Sequence, residues 1–474
     1  MSPGRGSLTR PATMLTKQLV GVLELSSKYR YGLTSRGAPL YLFRPYDETE
    51  PEYAVGSSER DTSRNQIVLV DVPVAEAADG SKPRGTLVRT FGPVGDYQSE
   101  REALLKHYCP DRQQRPTAAD LEVDTSDDGE RTLLAASTGW TTFHIDPPGC
   151  RDVDDAIGYH TETRTWAIVI ADAAAYVPVD SAVDIAAEAI GATFYDSNGA
   201  VQRPMLPISI SEERASLLPG ARRRGVALFV PPADGSEKPH FGLVWIEVAT
   251  SMTYDSWPTS ALAASLDAPR DAHTWIEELM VRYNQKAAVV LKSYAAGLLR
   301  TQRAPDAQAV ESWRSVAPEL AHMANEAAAY EFACEDADQS HAGLGLPAYC
   351  HASSPLRRYA DLVNQRILKA LLLGKPLPPV EGGLAAHLNE RTRANRRWGR
   401  DLHFLNTVRP GRVQLVEVIY VGNGRVWVPT WRRLLRLRHP APEGVAVGGQ
   451  FVIQVFCDPT RRNWRQRVLT AAAT

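Results

Sequence analysis

Between Ile145 and Ala156 the chain reads I-D-P-P-G-C-R-D-V-D-D-A, which places Asp146, Asp152, Asp154 and Asp155 within ten residues. T-T-F-H-I-D enters this stretch as a strand-like run, Pro147, Pro148 and Gly149 force a turn, and A-I-G-Y-H and W-A-I-V-I-A-D continue as strands. The chain must therefore fold here as a sheet whose turn carries four carboxylates, a tighter restriction than any other segment imposes. Acidic runs are ordinarily solvated loops or helix caps, but one clamped between apolar strands makes a poor tail and a good metal cradle. Carboxylates this close repel one another unless a cation lies between them, and hard oxygen ligands favour Mg²⁺, with Mn²⁺ as a substitute, over zinc. The ligand spacing and closing glutamate of an EF-hand are absent. Metals on such a set suit phosphate esters, where they polarise the phosphoryl group, generate hydroxide and steady the leaving oxygen.

The 474 residues suffice for roughly two to four domains. A hydrophobic content of 44% with 23% charged residues is that of a globular protein. The net charge of −2 announces no polyanion partner, so local basic surfaces would have to hold one: Arg222 to Arg224, and the arginine-rich stretch from Arg391 to Arg438. Cys109, Cys150, Cys334, Cys350 and Cys457 are widely spread and odd in number, which indicates neither a disulfide framework nor a zinc knuckle. The opening M-S-P-G-R-G-S-L-T-R has no apolar core, and no stretch approaches about 20 apolar residues. A cytoplasmic monomer with no membrane span and no protein partner is expected.

Three regions follow. Residues 1–115 are β-rich and punctuated, with Q-L-V-G-V-L-E-L, P-L-Y-L-F, N-Q-I-V-L-V-D-V and G-T-L-V-R-T-F ahead of a helical S-E-R-E-A-L-L-K-H-Y. This is a separate small module. An acidic connection, T-A-A-D-L-E-V-D-T-S-D-D-G-E, leads into an α+β catalytic domain over 116–408. Its helical signals are D-S-A-V-D-I-A-A-E-A-I, A-H-T-W-I-E-E-L-M-V-R-Y-N-Q-K-A-A-V-V-L, E-L-A-H-M-A-N-E-A-A-A-Y-E-F-A, and R-R-Y-A-D-L-V-N-Q-R-I-L-K-A-L-L-L with Gly374 as C-cap. Over 409–474 about five short β runs, with V-G-N-G as a hairpin turn, fit an OB-fold β-barrel. There Trp427, Trp431 and Trp464 are interleaved with Arg412, Arg425, Arg432, Arg433, Arg436 and Arg438. The pattern suits stacking and phosphate contact with single-stranded nucleic acid, or equally tryptophans in a barrel core with arginines outside.

Downstream, H-A-G-L-G-L-P-A-Y-C-H-A-S-S-P-L-R-R-Y-A-D-L-V-N-Q-R runs from His341 to Arg366. A serine-serine-proline turn opening a helix presents backbone N–H groups beside Arg357 and Arg358, a phosphate grip, although the arginines alone would also serve as helix partners of Asp361. Together I-D-P-P-G-C-R-D-V-D-D-A-I and Y-C-H-A-S-S-P-L-R-R-Y-A-D-L resemble the catalytic domain of the ribonuclease II and ribonuclease R exoribonucleases. V-I-A-D-A-A-A-Y-V, P-M-L-P-I-S-I-S-E-E-R-A-S-L-L-P-G, M-T-Y and I-E-E-L-M-V-R-Y-N agree, in the family's order, over roughly residues 131–405.

The resemblance implies a hydrolytic 3′ to 5′ exoribonuclease that binds RNA, needs one or two Mg²⁺ ions and releases nucleoside 5′-monophosphates. Asp146 and Asp155 match metal ligands, with Asp152 and Asp154 completing the carboxylate set. Arg357 matches the arginine on the scissile phosphate, with Arg358 beside it, and Tyr195 the aromatic under the 3′-terminal base. Tyr254 and Glu277 match residues lining the RNA channel. The chain departs from the family in three places. The segment between Tyr254 and Glu277 is short, removing an aromatic clamp; Asn395 stands where the family often has a catalytic glutamate, with Glu390 five residues earlier as a substitute; and in place of the paired cold-shock barrels the resemblance implies, residues 1–115 read as a different nucleic-acid-binding module, either a divergent barrel or a winged helix. A more open path would admit structured RNA. The alternative is a catalytically weakened RNA-binding relative, and a third reading, an enzyme on small phosphoesters, sits poorly with a terminal barrel.

Overall fold

The computed structural model describes residues 16–74, 82–109, 129–462 and 464–473, without the side chains of Trp464 and Arg465. The opening M-S-P-G-R-G-S-L-T-R, most of the acidic connection, the expected boundary at residue 115 and the Trp464 ring thus lie outside the described residues. The chain divides into two compact units, residues 1–109 with 397–474, and residues 110–396. Among the described residues no helix is long and apolar enough to cross a membrane.

In the first unit, β1 (Thr16–Leu23), β2 (Leu40–Pro45), β3 (Tyr53–Gly56), β4 (Gln66–Pro73) and β5 (Arg84–Pro93) close into a barrel in the order β1-β2-β3-β5-β4. The β3–β5 pair is parallel and its neighbours antiparallel. Val68, Val70 and Val72 alternate inward along β4 to meet Phe43, Tyr53 and Val55, as the two-residue period of a strand requires. A closed barrel, not a winged helix, is the N-terminal module. α1 (Tyr97–Tyr108) follows, capped by Asp96, whose carboxylate accepts from the Ser99 N–H.

The second unit is built on a seven-stranded sheet. β6 (Thr132–Leu134), β7 (Trp140–Ile145), β8 (Asp155–His160) and β9 (Thr165–Ala171) precede α2 (Ala182–Ile190) and the short pair β10 (Phe194–Tyr195) and β11 (Val201–Arg203). β12 (Arg222–Val230), β13 (His240–Glu247) and β14 (Thr250–Met252) complete a sheet ordered β14-β7-β8-β9-β12-β13-β6. Ala167 to Ala171 and Val226 to Leu228 are buried on both strand faces, the mark of strands covered on two sides. The aspartate turn joins β7 to β8, the second and third strands of this sheet. Cover comes from α3 (Ala272–Ser293), capped by Asp271, and from α4 (Tyr359–Leu372), which is buried almost all round. Its polar residues are all engaged: Asn364 bonds both backbone groups of Leu298, Gln365 bridges Ala171 and Ala174, and Lys369 pairs with Asp172. Gly374 sits in the left-handed region at φ 61° and closes the helix as expected.

One helical expectation fails. Glu319–Ala333 is a 3₁₀ segment (Pro318–Ala324) and then a strand, because β15 (Leu298–Thr301) pairs with β16 (Ala329–Phe332). Asn389, on α5 (Leu384–Thr407), brackets Tyr330 by accepting from its N–H and donating to its carbonyl. One ladder and the Asn389 bracket outweigh the helix propensity of an alanine run.

The first unit also holds β17 (Val413–Gly422), β18 (Arg425–Val428), β19 (Arg433–Arg436), β20 (Gln450–Cys457) and β21 (Val468–Ala472), ordered β19-β18-β17-β20-β21. That is the order of the N-terminal barrel opened between its third and fifth strands. Instead of a ladder, the Thr470 hydroxyl links the edges, accepting from the Arg438 N–H and donating to the Arg436 carbonyl. The partly open barrel is OB-like. Asn423 and Gly424, both at positive φ, make the V-G-N-G hairpin turn. Trp427 is buried in the core and Trp431 packs edge-on to Phe404, whereas Arg412, Arg425, Arg432, Arg436 and Arg438 are exposed. Of the two readings open for these residues, Trp427 follows that of a tryptophan in the barrel core.

Within this unit a buried charge pair joins α1 to the chain's last turn: Arg467 meets Glu100 at 2.6 Å, with both side chains at most 1% exposed. Tyr46 Oη and the Gly95 N–H also donate to Glu100. Glu100→Ala is expected to cost about 3–5 kcal/mol, because it strands a buried guanidinium; denaturant unfolding of the variant checks this, and a loss below about 1 kcal/mol would show the pair is dispensable.

Candidate active site

Pro147 to Gly149 turn the chain at the end of β7, Gly149 adopting φ 82°, and deliver the four aspartates to one cavity of about 980 Å³. Its lining brings together Asp146, Asp152, Asp154, Asp155, Tyr195, Tyr254, Glu277, Arg357 and Arg358, the residues matched to metal, phosphate and RNA roles. The carboxylates are not equivalent. Asp154 is buried, with one oxygen accepting from the Leu356 N–H at 2.9 Å and the other from Arg357 Nε at 2.9 Å. Asp152 accepts from Tyr195 Oη at 2.8 Å, and Asp146 contacts His144 Nδ1 at 2.8 Å. Asp155, at the head of β8, receives no side-chain hydrogen bond or ion pair from the described residues.

Burial pushes the Asp155 carboxyl up to about 8, reinforced by the charges of Asp146 and Asp154 and opposed by Arg357. Asp154 is likewise raised, to about 7, chiefly by burial and against the pull of Arg357. A carboxylate left without a donor beside another carboxylate is the partner a divalent cation would complete. Among the described residues no three His, Cys, Asp or Glu side chains are arranged to hold a metal by themselves. Mg²⁺ does not need them, since it typically takes one or two carboxylates and keeps water or phosphate oxygens in its other positions. Asp146 and Asp155 fit that demand. Asp154, both oxygens engaged, instead orients Arg357, whose Nη2 also donates to Ser354 Oγ at 3.1 Å.

Tyr254 stacks on His273 with ring centroids 3.9 Å apart and an interplanar angle of 6°. Between Tyr254 and Glu277 the two tryptophans, Trp257 and Trp275, are buried against Phe143, so this link carries no aromatic clamp. Asn395 faces the far side of Tyr195, donating to the Thr193 carbonyl at 3.1 Å. Glu390 does not replace it. It is exposed, and five residues on a helix turn the side chain about 140° away. Sequence reasoning missed His144, buried behind Asp146 and hydrogen-bonded to Ser251. Its signal was the strand period, which puts residues 144 and 146 on one face.

The RNB domain family matches residues 136–260 and 258–374, about half of the chain. The chain belongs to the RNB domain family. Among curated relatives, it is similar to ribonuclease R of Helicobacter pylori, 27% identical over 314 residues, covering 48% of this chain and 48% of the relative. The chain spans about half the length of the curated relatives it matches. Its fold is that of the apo form of Mycoplasma genitalium RNase R, with a TM-score of 0.71 and 16% identity over 100% of this chain and 93% of the other. Yeast Ssd1, described as a pseudonuclease, shares the fold at a TM-score of 0.64 and 17% identity, over 96% of this chain and 68% of that one.

Proposed function

We propose that the chain is a Mg²⁺-dependent hydrolytic exoribonuclease that removes nucleoside 5′-monophosphates from the 3′ end of RNA. The observation that carries this reading is the convergence of Asp146 and Asp155 with an Arg357 held by Asp154 in one cavity floored by Tyr195. Asp146 and Asp155 would hold the metal, which when bound polarises the phosphate and favours deprotonation of water. Arg357 would donate to non-bridging phosphate oxygens, strengthening its hold as charge develops there. Tyr195 would stack on the terminal base with about 1–3 kcal/mol and little sequence preference. A water oxygen bonds to phosphorus as the P–O3′ bond breaks, and the proton ends on the departing 3′-oxygen. The short link from Tyr254 to Glu277 supports admission of structured RNA as well as single strands.

A second reading, an RNA-binding relative with weakened catalysis, is favoured by Asn395: α5 presents Arg391, Thr392, Asn395 and Arg396 toward Tyr195 and no carboxylate. One assay separates the two. Incubating 5′-labelled RNA with Mg²⁺ and then with a chelator is expected to give metal-dependent mononucleotide release. Binding without release would establish the second reading.

A further inference from the structure

Behind Tyr195 lies a second cavity of about 290 Å³ to whose lining the described residues contribute five arginines and no Asp or Glu. Tyr195, Arg357 and Arg358 are shared with the aspartate cavity, while Arg300, Arg391 and Arg396 belong to this one. Arg357 is paired with Asp154 and Arg358 with Asp361, at 2.9 and 2.8 Å. Arg300 and Arg396 form no ion pair with the described residues. Arg300 is only 4% exposed, its Nη1 has no hydrogen-bond partner, and its guanidinium lies 4.5 Å over the Tyr330 ring. Arg358 Nε is buried and unpartnered as well.

A guanidinium withdrawn from water without an anion is costly, and unpaired donors on the wall of a cavity mark where the anion belongs. Guanidinium forks match phosphate oxygens, two donors at a time. The volume lies near the lower edge of small-ligand sites, roughly 300 Å³, which suits one phosphorylated end rather than a length of chain. Asn395 on its wall is neutral and adds no charge to repel such a group.

We propose that this pocket binds a phosphate monoester, supplied by the 3′-terminal phosphate of an RNA chain whose last base lies on Tyr195. The proposal rests on the reading of RNA as substrate. The test is fluorescence anisotropy, without divalent metal, on one oligonucleotide carrying a 3′-hydroxyl, a 3′-phosphate, or a 5′-phosphate as charge-matched control. The 3′-phosphate form is expected to bind about tenfold tighter than either other form. Arg300→Gln, and independently the exposed Arg396→Gln, should remove that preference while leaving 3′-hydroxyl binding unchanged. Equal binding of the 3′- and 5′-phosphate forms, or a preference that survives both substitutions, overturns the assignment to an RNA end. Inorganic phosphate alone separates the two claims. If no oligonucleotide binds, yet phosphate raises the melting temperature of the native chain and not of Arg396→Gln, the RNA reading fails and the pocket serves free phosphate monoesters. No such shift together with equal binding of the ends overturns the site.

Discussion

Asp155→Asn is expected to abolish RNA hydrolysis, by roughly 10³-fold or more, while making the metal-free protein more stable at pH 8. The loss of activity follows if Asp155 supplies one of two carboxylates to the ion, since that ion is asked for several kcal/mol of transition-state stabilisation. The gain in stability follows from proton linkage. The Asp155 carboxyl, pushed up to about 8 in the fold, ionises near 3.9 in the unfolded chain. Between those values the folded state binds the extra proton, so this group's contribution is full below about pH 4 and is lost as pH rises toward 8. An amide never ionises and escapes the loss. Thermal melts at pH 5 and pH 8 check it: the variant should gain over the native chain at pH 8, and the gain should shrink at pH 5. Because metal binding requires the deprotonated ligand, Mg²⁺ should raise the melting temperature of the native chain more at pH 8 than at pH 6, and not that of the variant. A variant that is inactive but keeps its full response to Mg²⁺ would remove Asp155 from the metal site.

The contrast between Asp155 and Asp154, neighbours in sequence, marks how far reading the chain can go. The turn carrying four carboxylates was legible because its flanking strands announce themselves by composition and its prolines force the reversal. Tyr195, Tyr254, Glu277 and Arg357 were legible through the resemblance to a family, and the cavity collects them. Which carboxylate is free and which is committed was not legible, because it depends on Leu356 and Arg357, about 200 residues downstream. The same limit hid the Glu100–Arg467 pair, whose members are each unremarkable in their own segments, and the bare Arg300. Local propensity misled where tertiary pairing opposed it: the alanines before Tyr330 favour a helix, but pairing with β15 and the Asn389 bracket draw Ala329–Phe332 into a strand. The interleaved tryptophans and arginines of the last barrel looked like one surface. Burial separates them, with Trp427 in the barrel core and Arg425 exposed at the start of the same strand.

Arg357→Ala is expected to lower the rate of hydrolysis by about 10²–10³-fold, the usual loss when a preorganised donor to a developing charge is removed. The structure adds a second cost, because Asp154 would then lie buried with only the Leu356 N–H as donor. Arg357→Lys separates the two effects. A lysine keeps the positive charge near Asp154 but not the planar fork, in which Nε is held by Asp154 and Nη2 donates to Ser354. Its stability should stay near native while its rate stays close to that of the alanine variant. Asp154→Asn should cost nearly as much rate as Arg357→Ala, because the carboxylate works by aiming the guanidinium. The double variant Asp154→Asn with Arg357→Ala should then be little worse than either single one, the non-additivity of residues that act as a unit. Single-turnover rates on a 5′-labelled oligonucleotide at saturating enzyme measure all four, and losses that simply add would mean that Asp154 acts on the metal or the water independently of Arg357.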